Sequence, residues 1–288
     1  MQQPLVDAGA QASILAWFDA RGRSLPFRGS RDPYAILVSE VMAQQTQISR
    51  VAEHWVTFMA AFPTIASLAD ASTSDVLRAW RGLGYNRRAL NLHRAARAVV
   101  DEYGGRVPSS LEALLGLPGI GPYTARAVAA LAFGQAVGPV DTNVRRVLGR
   151  MTGRGGAREL QAIADAAVPA RRPADWTHAL MDLGATLCRP AAPRCGECPV
   201  RSSCATVGAG PSAAPSAKRL PPFPLTSRWL RGRILDRLRD LPSDGWWPVD
   251  GPIGTHQRPA VEAAVARMEV EGLLERRDDR EDLVRLAT

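Results

Sequence analysis

The chain has 288 residues, 46% of them hydrophobic, and a formal net charge of +8. That length and apolar content suffice for one large or two modest packed cores, which excludes a chain disordered throughout. No run approaches the roughly 18 apolar residues that span a bilayer, and the start Met1-Gln-Gln-Pro-Leu-Val-Asp lacks the basic-then-apolar order of a secretory signal, so a cytoplasmic protein without a membrane partner is expected. Excess positive charge suits a polyanion, because clustered cations displace condensed counterions from phosphates, although an arginine-rich composition does not by itself require one. Lys218 is the single lysine.

Helical patterns run through Ile14 to Phe18, Tyr34 to Val41, Val51 to Phe58 and Val76 to Trp80. Leu92, Ala95, Ala96, Val99, Val100 and Tyr103 then fall at i, i+3, i+4, i+7, i+8 and i+11 with charged residues between them, which predicts one amphipathic helix. Further helical patterns cover Tyr123 to Phe133 and Val144 to Met151, and strand-like alternation is scarce, so this region reads as all-α. From Val207 to Pro224 the chain turns to Gly, Ala, Pro and Ser and reads as a linker. Beyond it a helix from Trp229 to Leu241, the run Trp246-Trp247-Pro248-Val249, a helix from Pro259 to Glu271 and short strands at Leu273 to Arg276 and Leu283 to Leu286 resemble a winged-helix α+β unit.

All the cysteines fall in one stretch, Cys188, Cys195, Cys198 and Cys204, spaced C-x6-C-x2-C-x5-C. Thiols gathered this way in a cytosolic chain point to metal rather than disulfides. Four thiolates suit either tetrahedral zinc or an iron-sulfur cube, and the chemistry alone leaves both open. Upstream, Leu117-Pro118-Gly119-Ile120-Gly121-Pro122-Tyr123-Thr124 joins two helical patterns. Gly119 and Gly121 permit a tight turn with exposed amides on which a phosphate can dock, and Pro122 fits the first position of the following helix. Asp141, before Thr142-Asn143-Val144-Arg145-Arg146, would cap the helix that follows.

These features together resemble the endonuclease III and MutY superfamily of DNA glycosylases. Its cysteine loop carries one 4Fe-4S cluster at this spacing, its helix-hairpin-helix motif matches Gly119 and Gly121, and its sugar-stabilising aspartate falls at Asp141. The fold the resemblance implies is a helical barrel lobe with the hairpin (residues 25–135) and a cluster lobe (1–24 and 136–206), followed here by the linker (207–224) and the C-terminal unit (225–288). Arg189, Arg194 and Arg201 interleave with the cysteines and would present charge to the DNA backbone.

Two positions narrow the expectation. Where strand-cleaving members carry a Schiff-base lysine, this chain has Tyr123, and Lys218 lies in the linker, so base removal without strand cleavage is expected. Ser39-Glu40-Val41-Met42-Ala43-Gln44-Gln45-Thr46 resembles the corresponding segment of MutY-type adenine DNA glycosylases. Neutral adenine leaves poorly, so an acid such as Glu40 has a reason to be there, whereas a carboxylate in an apolar helix could otherwise cap or pair with arginine. The resemblance makes Gln44, Gln45 and Thr46 a strand-separating wedge, places Tyr123 and Asn143 in the pocket beside Glu40, and adds Arg28, Tyr85, Thr124 and Asp182 as DNA-contacting positions. The expected substrate is duplex DNA with adenine mispaired with 8-oxoguanine or guanine, handled by a monomer at the nucleoid. Departures are Phe27 for a usual tryptophan, Asn86 for a second tyrosine, and a C-terminus unlike the Nudix-like domain of the family. A thymine or uracil mismatch glycosylase of the same fold, and a non-catalytic iron-sulfur DNA-binding regulator, are the competing readings.

Overall fold

The computed structural model describes residues 5–207 and 221–288. In chain order the helices are α1 (Ala8–Arg21), α2 (Pro33–Ala43), α3 (Ile48–Ala61), α4 (Ile65–Ala69), α5 (Thr73–Ala79), α6 (Arg87–Tyr103), α7 (Leu111–Gly116), α8 (Pro122–Phe133), α9 (Thr142–Thr152), α10 (Ala157–Ala166), α11 (Pro173–Thr186), α12 (Ser227–Arg239) and α13 (Arg258–Val270). Strands β1 (Trp247–Pro248), β2 (Leu274–Arg277) and β3 (Arg280–Leu286) form one sheet, and short 3-10 turns lie at Cys195–Glu197, Arg201–Ser203 and Phe223–Leu225. The chain is thus mostly helical with a small C-terminal sheet. Most of the linker expected between Val207 and Pro224, Lys218 included, lies outside the described residues.

Backbone contacts divide the chain into two units. The first comprises Met1–Glu40, Val107–Gly116 and Ile120–Ala217. Its core joins Ile14 of α1, Val147 and Leu148 of α9, Leu160 of α10 and Trp176, Leu180 and Leu183 of α11. Local chemistry sets the helix starts. Asp7 caps α1 by accepting from the Ala10 amide at 2.8 Å, and prolines open α8 and α11, where no intrahelical donor is lost. Gly138, just before α9, donates its amide to Asp165 Oδ1 (2.9 Å) and accepts from Gln161 Nε2 (2.8 Å), tying the entry of α9 to α10.

The second unit comprises Val41–Arg106, Leu117–Gly119 and Lys218–Thr288. Helix α6 buries Leu92, Ala95, Ala96 and Val99, the stripe its period predicts, and ends on Gly104 in the left-handed conformation (φ 59°). Phe58 of α3 meets Phe62 and Trp80 edge-on, with ring centroids 5.0 and 5.8 Å apart. Helices α12 and α13 cover an antiparallel sheet of order β1-β3-β2, with Trp247 opposite Val284 and Leu274 opposite Leu286. The two expected strands are present. The additional β1 is two residues long, too short to show alternation, and its Pro248 sits on an edge strand, where a missing amide donor is tolerated. Helix α12 also packs on α5, and the buried Arg239 Nε donates to the Leu77 carbonyl at 2.9 Å.

The entry to α9 offers a test of this packing. A Cβ on Gly138 would stand 2.5 Å from the carbonyl carbon and oxygen of Ala164, which are backbone atoms in α10. Gly138→Ala is expected to lower unfolding stability by about 1–3 kcal/mol. A denaturation midpoint equal to that of the parent protein would show that α9 and α10 do not pack this closely.

Candidate active site

Helix α2 is buried almost all round, from Tyr34 through Met42, and so carries Glu40 into an apolar interior. Burial pushes the Glu40 carboxyl up to about 7; a hydrogen bond from the Tyr123 hydroxyl opposes this, the charge of Asp141 adds to it, and Arg28 opposes it more weakly. Oε2 of Glu40 is buried and, among the described residues, accepts no hydrogen bond. Near neutral pH the group is therefore poised between acid and carboxylate with one oxygen available. Tyr123, in the first turn of α8, keeps its hydroxyl proton because burial, then the charges of Glu40 and Asp141, raise its pKa well above the usual value.

Asp141 caps α9, as its sequence context predicts: Oδ1 accepts from the Val144 amide (2.6 Å), and Oδ2 accepts from Asn143 Nδ2 (3.0 Å). Asn143 is fixed in turn by Arg146, whose Nη2 donates to Asn143 Oδ1 (2.8 Å) and to the Gly184 carbonyl (2.7 Å) while its Nε donates to the Cys188 carbonyl (2.7 Å). Gly184 is required for this closeness, since a Cβ there would lie 2.6 Å from Cβ of Asn143. The structure thus brings Glu40, Tyr123, Asp141 and Asn143 together within the first unit and fastens the last two to the start of the cysteine loop.

Arg28 and Asp182 are bonded to one another. Asp182 is wholly buried and receives Nη1 and Nη2 of Arg28 (2.7 and 2.6 Å), Nε of Arg23 (2.7 Å) and the Arg23 amide (2.8 Å). Burial alone would raise its pKa, but these bonds outweigh it and hold the carboxylate below its ordinary value. Asp182 has no exposed surface, and Arg28 is engaged by it. Thr124 is likewise buried on α8. In the hairpin, Gly119 has φ 76° and lies against Asn91, and Gly121 precedes Pro122 as the N-cap of α8.

Cys188, Cys195, Cys198 and Cys204 are partly buried, unbridged, and line one cavity with Val147, Leu183, Leu187 and Val200. Burial, then the three neighbouring sulfurs, raise the Cys198 thiol, so a bound cation would be needed to hold four thiolates here. Among the described residues no three His, Cys, Asp or Glu side chains form a group that could hold a metal ion, so it is the shared cavity that unites the four. Arg189 and Arg201 are exposed around it, whereas Arg194 is paired with Glu197 at 2.7 Å and offers less free charge than its position implies.

In the second unit Gln44, Gln45 and Thr46 form the turn after α2, and Leu83, Gly84 and Tyr85 a second turn. The two are clipped together by Arg88, which the sequence reading did not single out. Its buried guanidinium donates to the carbonyls of Val41, Met42, Gln44, Leu83 and Gly84 and to Thr46 Oγ1. Burial pulls its pKa down to about 10, which still leaves it charged at neutral pH. A signal for it existed: Arg88, Leu92, Ala95 and Val99 share the buried face of α6. Arg146 had no such marker.

With this geometry in view, residues 38–172 match the model of the HhH-GPD superfamily base excision DNA repair proteins. The chain is 43% identical over 233 residues to the adenine DNA glycosylase of Mycolicibacterium smegmatis, covering 79% of each, and 45% identical over 240 residues to that of Mycobacterium tuberculosis, covering 80% of this chain and 78% of the relative. Among solved structures it is similar to a thermostable thymine-DNA glycosylase, with a TM-score of 0.64 and 33% identity over 68% of this chain and 93% of the other. The chain belongs to the adenine DNA glycosylase family within the HhH-GPD superfamily of base excision DNA repair proteins.

Proposed function

We propose that this protein hydrolyses the N-glycosidic bond of adenine mispaired with 8-oxoguanine or guanine in duplex DNA and leaves the strand uncut. The observation that carries this reading is Glu40: a buried carboxyl held near neutrality with one oxygen unpartnered among the described residues. A carboxyl of this kind can hand a proton to a ring nitrogen of a flipped-out purine, so that the base departs neutral as the bond from C1′ breaks. Thymine or uracil can leave as anions and need no such acid, which favours adenine over the pyrimidine reading despite the shared fold with a thymine-DNA glycosylase.

The other residues have matching tasks. The Tyr123 hydroxyl fixes one oxygen of Glu40 and leaves the other to the base. Asp141, held by the Val144 amide and Asn143, faces the positive charge that develops on the sugar as the second carboxylate does in glycoside hydrolysis. Water then adds to C1′, and Glu40, now ionised, accepts its proton. These groups come from one chain, which supports action as a monomer. No described helix is long and apolar enough to cross a membrane, in keeping with the proposed cytoplasmic, nucleoid-associated setting.

Cys188, Cys195, Cys198 and Cys204 are the residues that would hold a 4Fe-4S cluster: all four line one cavity of largely apolar surface, and the loop they stand on would be closed by such a group. Bound there, it would hold the loop in shape and keep Arg189 and Arg201 directed at the phosphate backbone. Protein purified anaerobically is expected to be yellow-brown, with about four irons per chain. Stoichiometric zinc without iron would overturn the assignment.

Single-turnover excision on duplexes with A opposite 8-oxoguanine, A opposite G, T opposite G and U opposite G tests the substrate. Adenine should be released from the first two, each strand breaking only on later treatment with alkali. Glu40→Gln should bind the mispaired duplex and lose at least ~10²-fold in excision rate. For the parent protein the rate should fall as pH rises through about 7, because the acid form of Glu40 is then lost. Release of thymine but not adenine, or a variant as fast as the parent, would refute the reading.

A further inference from the structure

Residues 134–141 connect α8, which carries Tyr123, to Asp141 at the start of α9. The connection has no regular secondary structure, and Pro139 within it has no amide to donate. Its hold on the rest of the unit comes from Gly138, whose two backbone polar groups are both taken by side chains of α10. The Gly138 amide donates to Asp165 Oδ1 at 2.9 Å, and its carbonyl accepts from Gln161 Nε2 at 2.8 Å. The segments lie flush, since a Cβ on Gly138 would stand 2.5 Å from the carbonyl carbon and oxygen of Ala164.

The same Asp165 oxygen also accepts from Arg126 Nη1 and, at 3.3 Å, from Gln161 Nε2. Arg126 lies three residues beyond Tyr123 on α8. One carboxylate on α10 thus joins the helix that carries Tyr123 to the segment that delivers Asp141. Both of those groups act on Glu40, Tyr123 by a hydrogen bond and Asp141 by its charge. As a surface ion pair the contact with Arg126 would matter little: the two side chains are 23% and 36% exposed, and such pairs contribute about 0–1 kcal/mol. The bond from Gly138 is of another kind, because a charged acceptor fixes a backbone amide three residues before Asp141. A reacting group displaced by about 1 Å loses much of its effect, so the point from which Asp141 is suspended matters to the chemistry.

From this arrangement we infer that Asp165 is a positioning residue for the reaction: by gathering Arg126 and the Gly138 amide on one oxygen, it sets where Asp141 stands relative to Tyr123 and Glu40. The inference rests on the glycosylase reading for the task of Asp141. The clip itself does not.

The test compares the full chain as parent, Asp165→Ala, Asp165→Asn and Gln161→Ala. Single-turnover excision is measured on duplex with A opposite G, and Kd on the same duplex carrying uncleavable 2′-fluoro-2′-deoxyadenosine. Amide hydrogen exchange is followed at Val144, whose N–H is held by Asp141 Oδ1. Asp165→Ala should slow excision about tenfold or more with Kd unchanged. Exchange at Gly138 and Val144 should become about tenfold faster while Val99 in α6 keeps its rate. The Glu40 titration midpoint should fall below about 7 as the charge of Asp141 loses its place; Arg28, which also acts on Glu40, stays held by Asp182. Asp165→Asn keeps an acceptor oxygen for Gly138 and should recover most of the rate. Gln161→Ala, which frees the Gly138 carbonyl and leaves Arg126 paired, should change the same quantities in the same direction and less. Equally faster exchange at Val99 and Val144 would mean general loosening and would overturn the inference. So would parent-like excision in both Asp165→Ala and Gln161→Ala. A parent protein that releases no adenine, with Val144 exchange and the Glu40 midpoint still moved by Asp165→Ala, would refute the proposed function and leave the clip standing.

Discussion

A carboxyl group ionises at a cost wherever water cannot reach it, and the position of Glu40 turns that cost into chemistry. Helix α2 is apolar on nearly every side, so an acid in its last turns is desolvated by construction. Two neighbouring arrangements keep it from being neutralised by other means. Tyr123 donates to it without supplying charge, and Arg28, a nearby cation, is held by the fully buried Asp182 through two hydrogen bonds. The arrangement has a price in stability with a definite sign. A folded-state value near 7 against 4.5 unfolded means that stability falls as pH rises between the two, by roughly 3 kcal/mol at most.

Asp141 shows how one residue serves structure and chemistry together. As the N-cap of α9 it must keep an extended backbone and direct its carboxylate at the first-turn amides, and the same placement leaves that carboxylate beside the Glu40 pocket. Its rigidity is borrowed from farther along the chain. Asn143 bonds Asp141, Arg146 bonds Asn143, and Arg146 also reaches the carbonyls of Gly184 and Cys188. Any change that loosens the cysteine loop therefore has a short covalent and hydrogen-bonded path to the second carboxylate.

What could be read from the residues alone, and what could not, follows the range of the forces involved. The α6 stripe from Leu92 to Val99 and the hairpin glycines are local patterns and were legible, as were the spacing of the cysteines and the cap at Asp141. Glu40 was legible only through its neighbours, since a lone carboxylate in an apolar helix has several explanations. Helices α4 and α7, of five and six residues, are too short to show a period. The engagement of Arg28 with Asp182, the clip made by Arg88 and the bridge made by Arg146 join residues far apart in the chain. In a chain whose cations are nearly all arginine, each looked like surface charge. The packing of α12 on α5 is of the same kind: it brings residues beyond 224 against the turn at Tyr85, which no local pattern announces.

In the folded protein Glu40 is still substantially protonated at neutral pH. Carbon-13 labelling of the glutamate side chains, with the Glu40 carboxyl resonance assigned by its loss in Glu40→Gln, allows its titration to be followed directly by NMR. A midpoint near 7 is expected. A midpoint near 4.5 would mean that the carboxyl is solvated and ionised, and that the buried acid does not exist.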